Sequence, residues 1–420
     1  MSKHFPFDGA IFDLDGTLLD SMYVWHRVDE LFFEKRGMPV PEDYGRALAG
    51  KSYRESAEYT IQRFGLHESW EAIVQEWTEM AIEEYACRVK LKPCAAACLR
   101  AMKADGVKLA VATALPEYLY RPCLTNLGIL DWFDALCSTD ETGGRGKAEG
   151  EVFLLAAQRL GLEPERCAVF EDVYEGVCGA KHAGMRAYCV KDAASAHTHA
   201  QSAALADGMI DCFSHVMPRC VIFTARCEGD VQAAYLPRDN DLVLCADAGY
   251  RLAAEAGIEP AVVIGDFDSA EEPIGENIIR HPVIKDDTDT MLCIKHGLEQ
   301  GYRNFLIVGG LGGRLDHTLA NLQSLNYLVS QGAHAEICDG KVHGAMLSGG
   351  SLRISRTGGK LSAFAFGGPC SGVFIRGAKY NLEDGALRSD FPLGMGNDFA
   401  ADFAEIGVES GRLLVLWELE

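Results

Sequence analysis

The chain is short of positive charge. Its 39 lysines and arginines stand against 61 aspartates and glutamates, a formal net charge of −22 over 420 residues. That balance argues against a nucleic-acid surface or an anionic membrane as partner. Nucleotide binding stays open, because a divalent cation can supply positive charge locally. No apolar run reaches the ~20 residues a membrane helix needs, and Met1-Ser2-Lys3-His4-Phe5-Pro6 lacks a signal peptide's apolar core. Internal repeats and low-complexity tracts are missing too. The 15 cysteines are scattered, with no CxxC pair. Cys94 and Cys98, one helical turn apart in an alanine-rich stretch, read as core rather than metal ligands. A reduced, cytoplasmic compartment is the expectation from this cysteine usage.

What is present suggests two or three domains with ordinary packed cores, from a length of 420 and a hydrophobic content of 48%. Near the start, the apolar strand Gly9-Ala10-Ile11-Phe12 runs into Asp13-Leu14-Asp15-Gly16-Thr17. A DxD alone says little, but DxDGT directly after an apolar strand resembles the first motif of the haloacid-dehalogenase phosphohydrolase superfamily. The chemistry suits those residues. Asp13 can attack phosphorus and become an aspartyl phosphate, while Asp15 can protonate the leaving group and then deprotonate water.

The resemblance extends downstream. Thr113 ends the strand from Lys108 and matches the hydroxyl that holds phosphoryl oxygens, although Ala114 replaces the usual polar neighbour. Lys147, followed by Ala148 where proline is common, matches the charge-balancing lysine. Glu171-Asp172, after Ala168-Val169-Phe170, match the fourth, Mg²⁺-anchoring motif. The implied magnesium set is Asp13, Asp15, Glu171 and Asp172. Between Asp20 and about Tyr85 a helical pattern, with Val24, Val28, Leu31 and Phe32 on one face, implies a small cap that selects substrate. Leu48-Ala49-Gly50-Lys51-Ser52 resembles the cap loop of the β-phosphoglucomutase-like subgroup. Surface or packing roles are expected for Lys51 and His26.

A junction falls near His215, and a new alternation of strands and helices begins at Cys220. Three signals follow in order: Gly265-Asp266-Phe267-Asp268-Ser269, then Lys285-Asp286-Asp287-Thr288-Asp289, then Gly309-Gly310-Leu311-Gly312-Gly313-Arg314-Leu315-Asp316-His317. Each sits at a strand end or a helix start, where open α/β sheets bind ligands. Paired carboxylates suit Mg²⁺ and a polyphosphate, and the glycines let backbone N–H groups approach phosphate. Together they resemble thiamine pyrophosphokinase. That resemblance implies Mg²⁺ on Asp266, Asp268 and Asp289, with Asp247 nearby, and Arg314 stabilising the transferred group. It also implies ATP and thiamine contacts from Ser269, Lys285, Thr288, Gly310, Gly312, Gly313, Asp316, His317, Asn321 and Asn397. Asp286 or Asp287 is expected to cap the next helix. Leu315, Leu319, Leu322, Leu325 and Leu328 are expected to form an apolar helix face. Ala248 and Gly396 depart from the family pattern.

The fold class read from this is α/β. A Rossmann-like haloacid-dehalogenase core spans 1–215 with a cap at about 20–88, a kinase α/β domain spans 219–332, and an antiparallel β-sandwich spans 333–420. The implied protein is a bifunctional enzyme. One half transfers diphosphate from ATP to thiamine, and the other hydrolyses a small phosphate ester, with thiamine monophosphate as one candidate. A homodimer through the C-terminal half is implied. The alternatives are a sugar-phosphate phosphatase or phosphomutase in the first half, and a non-catalytic thiamine-diphosphate sensor in the second.

Overall fold

A computed structural model describes residues 4–48, 51–143, 146–238, 240–267, 277–282 and 286–419. They form two compact units. The first comprises Phe7–Lys92 and Val107–Asp211; the second comprises Met1–Pro6, Pro93–Gly106 and Cys212–Glu420.

The first unit is built on a six-stranded parallel sheet. Its order is Ala135–Ser138, Lys108–Thr113, Gly9–Phe12, Cys167–Glu171, Arg186–Val190, Gly208–Ile210. Strands of a parallel sheet covered on both faces read as continuous apolar runs, and Gly9–Phe12 and Cys167–Glu171 are buried throughout. Val152, Phe153, Ala156 and Ala157 of the helix Glu151–Leu160 pack with Ile11, Ala110 and Val169 in one core. Gly9–Phe12 lies between Lys108–Thr113 and Cys167–Glu171, with Phe12 opposite both Val111 and Phe170. The carboxyl ends of three strands therefore meet at Asp13.

The insert leaves and re-enters through a short antiparallel pair, Leu19–Asp20 with Lys90–Leu91. Between them lie the helices Val24–Glu34, Tyr44–Leu48, Tyr53–Phe64 and Trp70–Cys87. Aromatic side chains fill their interior, with Phe33 edge-on to Tyr44, at 4.8 Å between centroids, and to Phe64, at 4.9 Å. Such pairs add about 0.5–1.5 kcal/mol each beyond burial.

The second unit carries a nine-stranded sheet among its described residues. Ile278–Arg280, Val262–Gly265, Leu242–Ala246, Cys220–Phe223, Asn304–Val308 and His334–Cys338 run parallel, and Val342–Leu347, Leu413–Glu418 and Leu361–Ala365 continue antiparallel. His334–Cys338, read from sequence as the opening of the sandwich, is thus a strand of the parallel sheet. Gly350–Ser355, Phe403–Val408, Cys370–Arg376 and Leu382–Leu387 form a separate four-stranded antiparallel sheet. Both antiparallel sets share one core through Val373, Ile406, Leu413 and Val415.

Along the helix Leu315–Ser330, Leu325 and Leu328 are buried, but Leu315 is 72% and Leu319 52% exposed. The expected five-leucine apolar face is covered only toward its C-terminal end.

Candidate active sites

In the first unit, the strand ends bring Asp13, Thr113, Glu171 and Asp172 together, all buried. Lys147 reaches them from the loop before the helix Glu151–Leu160. Its Nζ lies 2.5 Å from Glu171 Oε1 and also contacts Asp13 Oδ1. Two glycines make room for this. A Cβ on Gly176 would sit 2.4 Å from Glu171 Oε1, and one on Gly179 would sit 1.8 Å from the Lys147 carbonyl oxygen. Thr17 Oγ1 donates to Asp172 Oδ1 at 3.2 Å. The Thr113 hydroxyl accepts from Leu115 N at 3.1 Å, which leaves its own proton to donate elsewhere.

Asp13, Glu171 and Asp172 each offer an oxygen within 4.8 Å of the others. Against three carboxylates stands one lysine, so two negative charges are left over in a buried site. Asp172 Oδ2 is buried with no hydrogen-bond partner among the described residues. Gly16, at φ 72°, would clash through any Cβ with that oxygen, 2.6 Å away. An all-oxygen, doubly negative cradle fits a hard divalent cation. Burial and then the charge on Asp13 push the Asp172 carboxyl up to about 7. Burial also raises Glu171, against the pull of Lys147.

Asp15 faces a different way. Its Oδ1 accepts from Ser21 Oγ at 2.6 Å and from Tyr85 OH at 2.9 Å. Asp15 does not join the three-carboxylate cluster among the described residues, so its expected place in the magnesium set is not what its side chain takes. Burial raises its pKa although the Ser21 bond opposes this. A raised pKa eases the protonated form that a general acid needs. Ser21 and Tyr85 escaped the sequence reading. Ser21 closes the motif and was within reach; Tyr85, 70 residues away, left no local signal.

In the second unit, Asp247 and Asp266 follow the neighbouring strands Leu242–Ala246 and Val262–Gly265. Asp247 N donates to Ile264 O at 2.9 Å. Asp247 (φ 45°) and Phe267 (φ 55°) both take left-handed backbone, a costly state that collects at functional sites. A Cβ on Gly265 would lie 2.9 Å from Asp247 Cα. Asp289 opens the helix Asp289–Glu299, whose cap is Thr288, with Oγ1 accepting from Met291 N at 3.2 Å. The expected cap by Asp286 or Asp287 is therefore corrected; Asp287 pairs with Lys295 at 2.6 Å. Asp268, Ser269 and Lys285 lie outside the described residues.

After the strand Asn304–Val308, Gly309, Gly310, Gly312 and Gly313 all take positive φ. Asn321 Nδ2 donates to Gly310 O at 2.9 Å, and Gly312 N donates to Thr318 Oγ1 at 3.1 Å. The following helix thus ties down the loop, and Thr318 is a tie the sequence reading missed. Arg314 forks onto Asp316, with Nη2 donating to Oδ2 at 2.6 Å on an exposed rim beside His317. Asn397 is buried and engaged by Tyr380 at both ends. Its Oδ1 accepts from Tyr380 N at 3.0 Å and its Nδ2 donates to Tyr380 O at 2.8 Å. That engagement holds the loop.

Residues 7–184 match the family haloacid dehalogenase-like hydrolase, and residues 233–337 match the thiamin pyrophosphokinase catalytic domain. The chain is similar to the phosphorylated carbohydrates phosphatase of Thermotoga maritima, at 30% identity over 178 residues, 42% of this chain and 82% of that one. It is also similar to the validoxylamine A 7'-phosphate phosphatase of Streptomyces hygroscopicus subsp. limoneus, at 30% identity over 181 residues, 43% of this chain and 83% of that one. Among solved structures it resembles thiamine pyrophosphokinase from Bacillus subtilis, with TM-score 0.43, 23% identity, and coverage of 48% of this chain and 99% of that one. A haloacid-dehalogenase family hydrolase from Deinococcus radiodurans R1 gives TM-score 0.41, 24% identity, and coverage of 50% and 94%. The chain belongs to the haloacid dehalogenase-like hydrolase family through its N-terminal half and carries a thiamin pyrophosphokinase catalytic domain in its C-terminal half.

Proposed function

We propose that the chain is a two-site enzyme. The first unit hydrolyses a phosphomonoester through an aspartyl phosphate, and the second transfers a diphosphoryl group from ATP to the thiamine hydroxyl, leaving AMP. The buried constellation of Asp13, Lys147, Glu171 and Asp172 at adjacent strand ends carries the first part. Asp13 attacks phosphorus while Lys147 balances charge on the nucleophile and the phosphoryl oxygens. The Thr113 hydroxyl donates to one of those oxygens. Asp15, its pKa raised by burial, gives its proton to the leaving alkoxide, then takes one from the water that cleaves the aspartyl phosphate. Asp13, Glu171 and Asp172 would hold Mg²⁺, which when bound supplies charge that shields the nucleophile from the phosphate.

In the second unit the support is positional. Asp247 and Asp266 share a sheet edge, Asp289 opens a helix, and the loop of Gly310, Gly312 and Gly313 presents backbone groups beside Arg314, Asp316 and His317. Such a site works by orientation and charge neutralisation. Asp266, Asp289 and the proposed Asp268 would hold Mg²⁺, with ATP along the glycine loop. Tyr380, Phe391, Leu393 and Met395, each at least 60% exposed, support a homodimer through this unit.

Thiamine monophosphate is one substrate for the first unit, because its hydrolysis makes the free thiamine the second unit needs. The similar carbohydrate phosphatase favours a sugar phosphate as the second reading. Two assays on the purified chain test the whole. Phosphate release from p-nitrophenyl phosphate should vanish in Asp13→Asn, and AMP formation from ATP and thiamine should vanish in Asp289→Asn. Activity unchanged in either variant refutes the corresponding half.

A further inference from the structure

The cap of the first unit holds a cavity of about 510 Å³ whose walls include Trp25, Asp29, Leu48, Tyr53, Ser56 and Trp77. Trp25 stands in the first turn of the helix Val24–Glu34, four residues after Ser21, whose hydroxyl binds Asp15. Burial raises the Tyr53 phenol, and the charges of Tyr118 and Asp15 add to this. The cavity is thus carried by the cap, the element expected to select the substrate.

Two features of its walls are unusual. Trp25 and Tyr53 are 37% and 48% exposed, their rings 5.7 Å apart and tilted at 56°. An aromatic pair left open to solvent on a cavity wall is a recognition surface rather than core. Asp29, one turn after Trp25 on the same helix face, makes no hydrogen bond or ion pair among the described residues. Burial pushes its carboxyl up to about 6, with only His26 easing the charge. A cation brought against it would favour its ionised form. Lys51, also on the wall, directs its ammonium over the Tyr59 ring at 5.9 Å.

The same walls suit a polyol poorly. The Ser52 hydroxyl is occupied in the helix cap, accepting from Glu55 N at 3.3 Å and donating to Glu55 Oε2 at 2.7 Å. Asp29, Ser56, Lys51, the Tyr53 hydroxyl and the indole N–H groups of Trp25 and Trp77 are left for a ring of sugar hydroxyls, a set with few acceptors, and unmatched hydroxyls are costly to bury. A flat cation needs less: aromatic faces attract it, and one carboxylate neutralises it.

We propose that this cavity selects a phosphomonoester whose alcohol part is a flat, positively charged ring, held between Trp25 and Tyr53 with its charge against Asp29. The inference rests on the phosphatase reading above and narrows its substrate. Thiamine monophosphate has this chemistry, so the cavity, rather than the fusion of the two halves, separates it from a sugar phosphate.

The test uses the full chain without ATP, so that the second unit does not turn over. Phosphate release is measured with thiamine monophosphate, glucose 6-phosphate and p-nitrophenyl phosphate. Wild type should favour thiamine monophosphate over glucose 6-phosphate by roughly tenfold or more in kcat/KM. In Asp29→Asn that preference should fall by a similar factor, and Asp29→Glu should restore part of it. A measurement that needs no variant runs alongside: thiamine should inhibit wild-type p-nitrophenyl phosphate hydrolysis competitively, and glucose should not. Hydrolysis of p-nitrophenyl phosphate with no preference for the cationic ester, or with no inhibition by thiamine, overturns this inference alone. Hydrolysis of no ester above the Asp13→Asn background overturns the phosphatase reading as well.

Discussion

Replacing Lys147 by methionine removes the cation that touches both Asp13 and Glu171 while keeping most of its volume. The lysine, Asp13 and Glu171 side chains are 10%, 8% and 1% exposed, so little solvent can step in. Breaking a buried pair by deleting one partner costs about 3–5 kcal/mol, because the other charge stays uncompensated. Here two carboxylates lose their partner, with Asp172 beside them, so the upper half of that range applies to the first unit. Hydrolysis should fall about a thousandfold or more, since ~4 kcal/mol of charge stabilisation on the phosphoryl oxygens corresponds to that factor. The double variant Lys147→Met/Glu171→Gln deletes one stranded charge and should recover ~1–2 kcal/mol of stability without recovering activity. Urea denaturation in EDTA, followed by tryptophan fluorescence, reads this well. Trp25, Trp70, Trp77 and Trp132 belong to the first unit and only Trp417 to the second. A single variant within ~0.5 kcal/mol of wild type, or a double variant less stable than the single one, would refute the reasoning.

Three further outcomes follow from other parts of the chain. Gly265→Ala drives a Cβ to 2.9 Å from Asp247 Cα, which should destabilise the second unit by about 1–3 kcal/mol and depress AMP formation while phosphate release persists. In the same unit, Glu336 lies between His334 Nε2 at 2.7 Å and His343 Nε2 at 3.0 Å, and His343 stacks on Trp417. Burial opposes charge on His343, but hydrogen bonds with Cys338 and Glu336 outweigh it and raise its pKa to about 10. Its contribution is fully present below the unfolded value near 6.5 and is lost as pH rises toward 10. On the order of 3 kcal/mol should disappear across that window, and urea midpoints in His343→Gln should be flatter with pH. Finally, residues 212–420 expressed alone should be unstable and bind hydrophobic dye. Pro93–Gly106 belongs to their unit, Asp105 there accepts from His4 N and Phe5 N, and the helix Ala95–Ala104 buries Cys98, Leu99 and Met102. A fragment as stable as the full chain contradicts this.

The candidate site of the first unit was legible because it is local. Asp13, Thr113, Glu171 and Asp172 each end an apolar strand, and a parallel sheet brings such ends together without further information. Lys147 was legible only through its motif slot, since nothing in a loop lysine's neighbours tells where it reaches. What stayed hidden depends on contacts distant in sequence. Tyr85 meets Asp15 from the far end of the cap, and the helix Ala95–Ala104 packs with the other half of the chain. Periodicity placed Leu315 and Leu319 on a face with Leu325 and Leu328, but a shared face does not say that anything covers it. Thr288 rather than its acidic neighbours caps the helix Asp289–Glu299 because Lys295 draws Asp287 away. Trp25 and Asp29 drew no notice in the sequence, because the exposure that makes Trp25 informative has no sequence signature.

The account depends most on phosphorus being passed to one side chain. Acid-quenched protein, mixed briefly with excess p-nitrophenyl phosphate and digested, should yield the peptide containing Asp13 heavier by one phosphoryl group, with no such adduct in Asp13→Asn. Steady phosphate release with that peptide unmodified, or an adduct on a different residue, would contradict it.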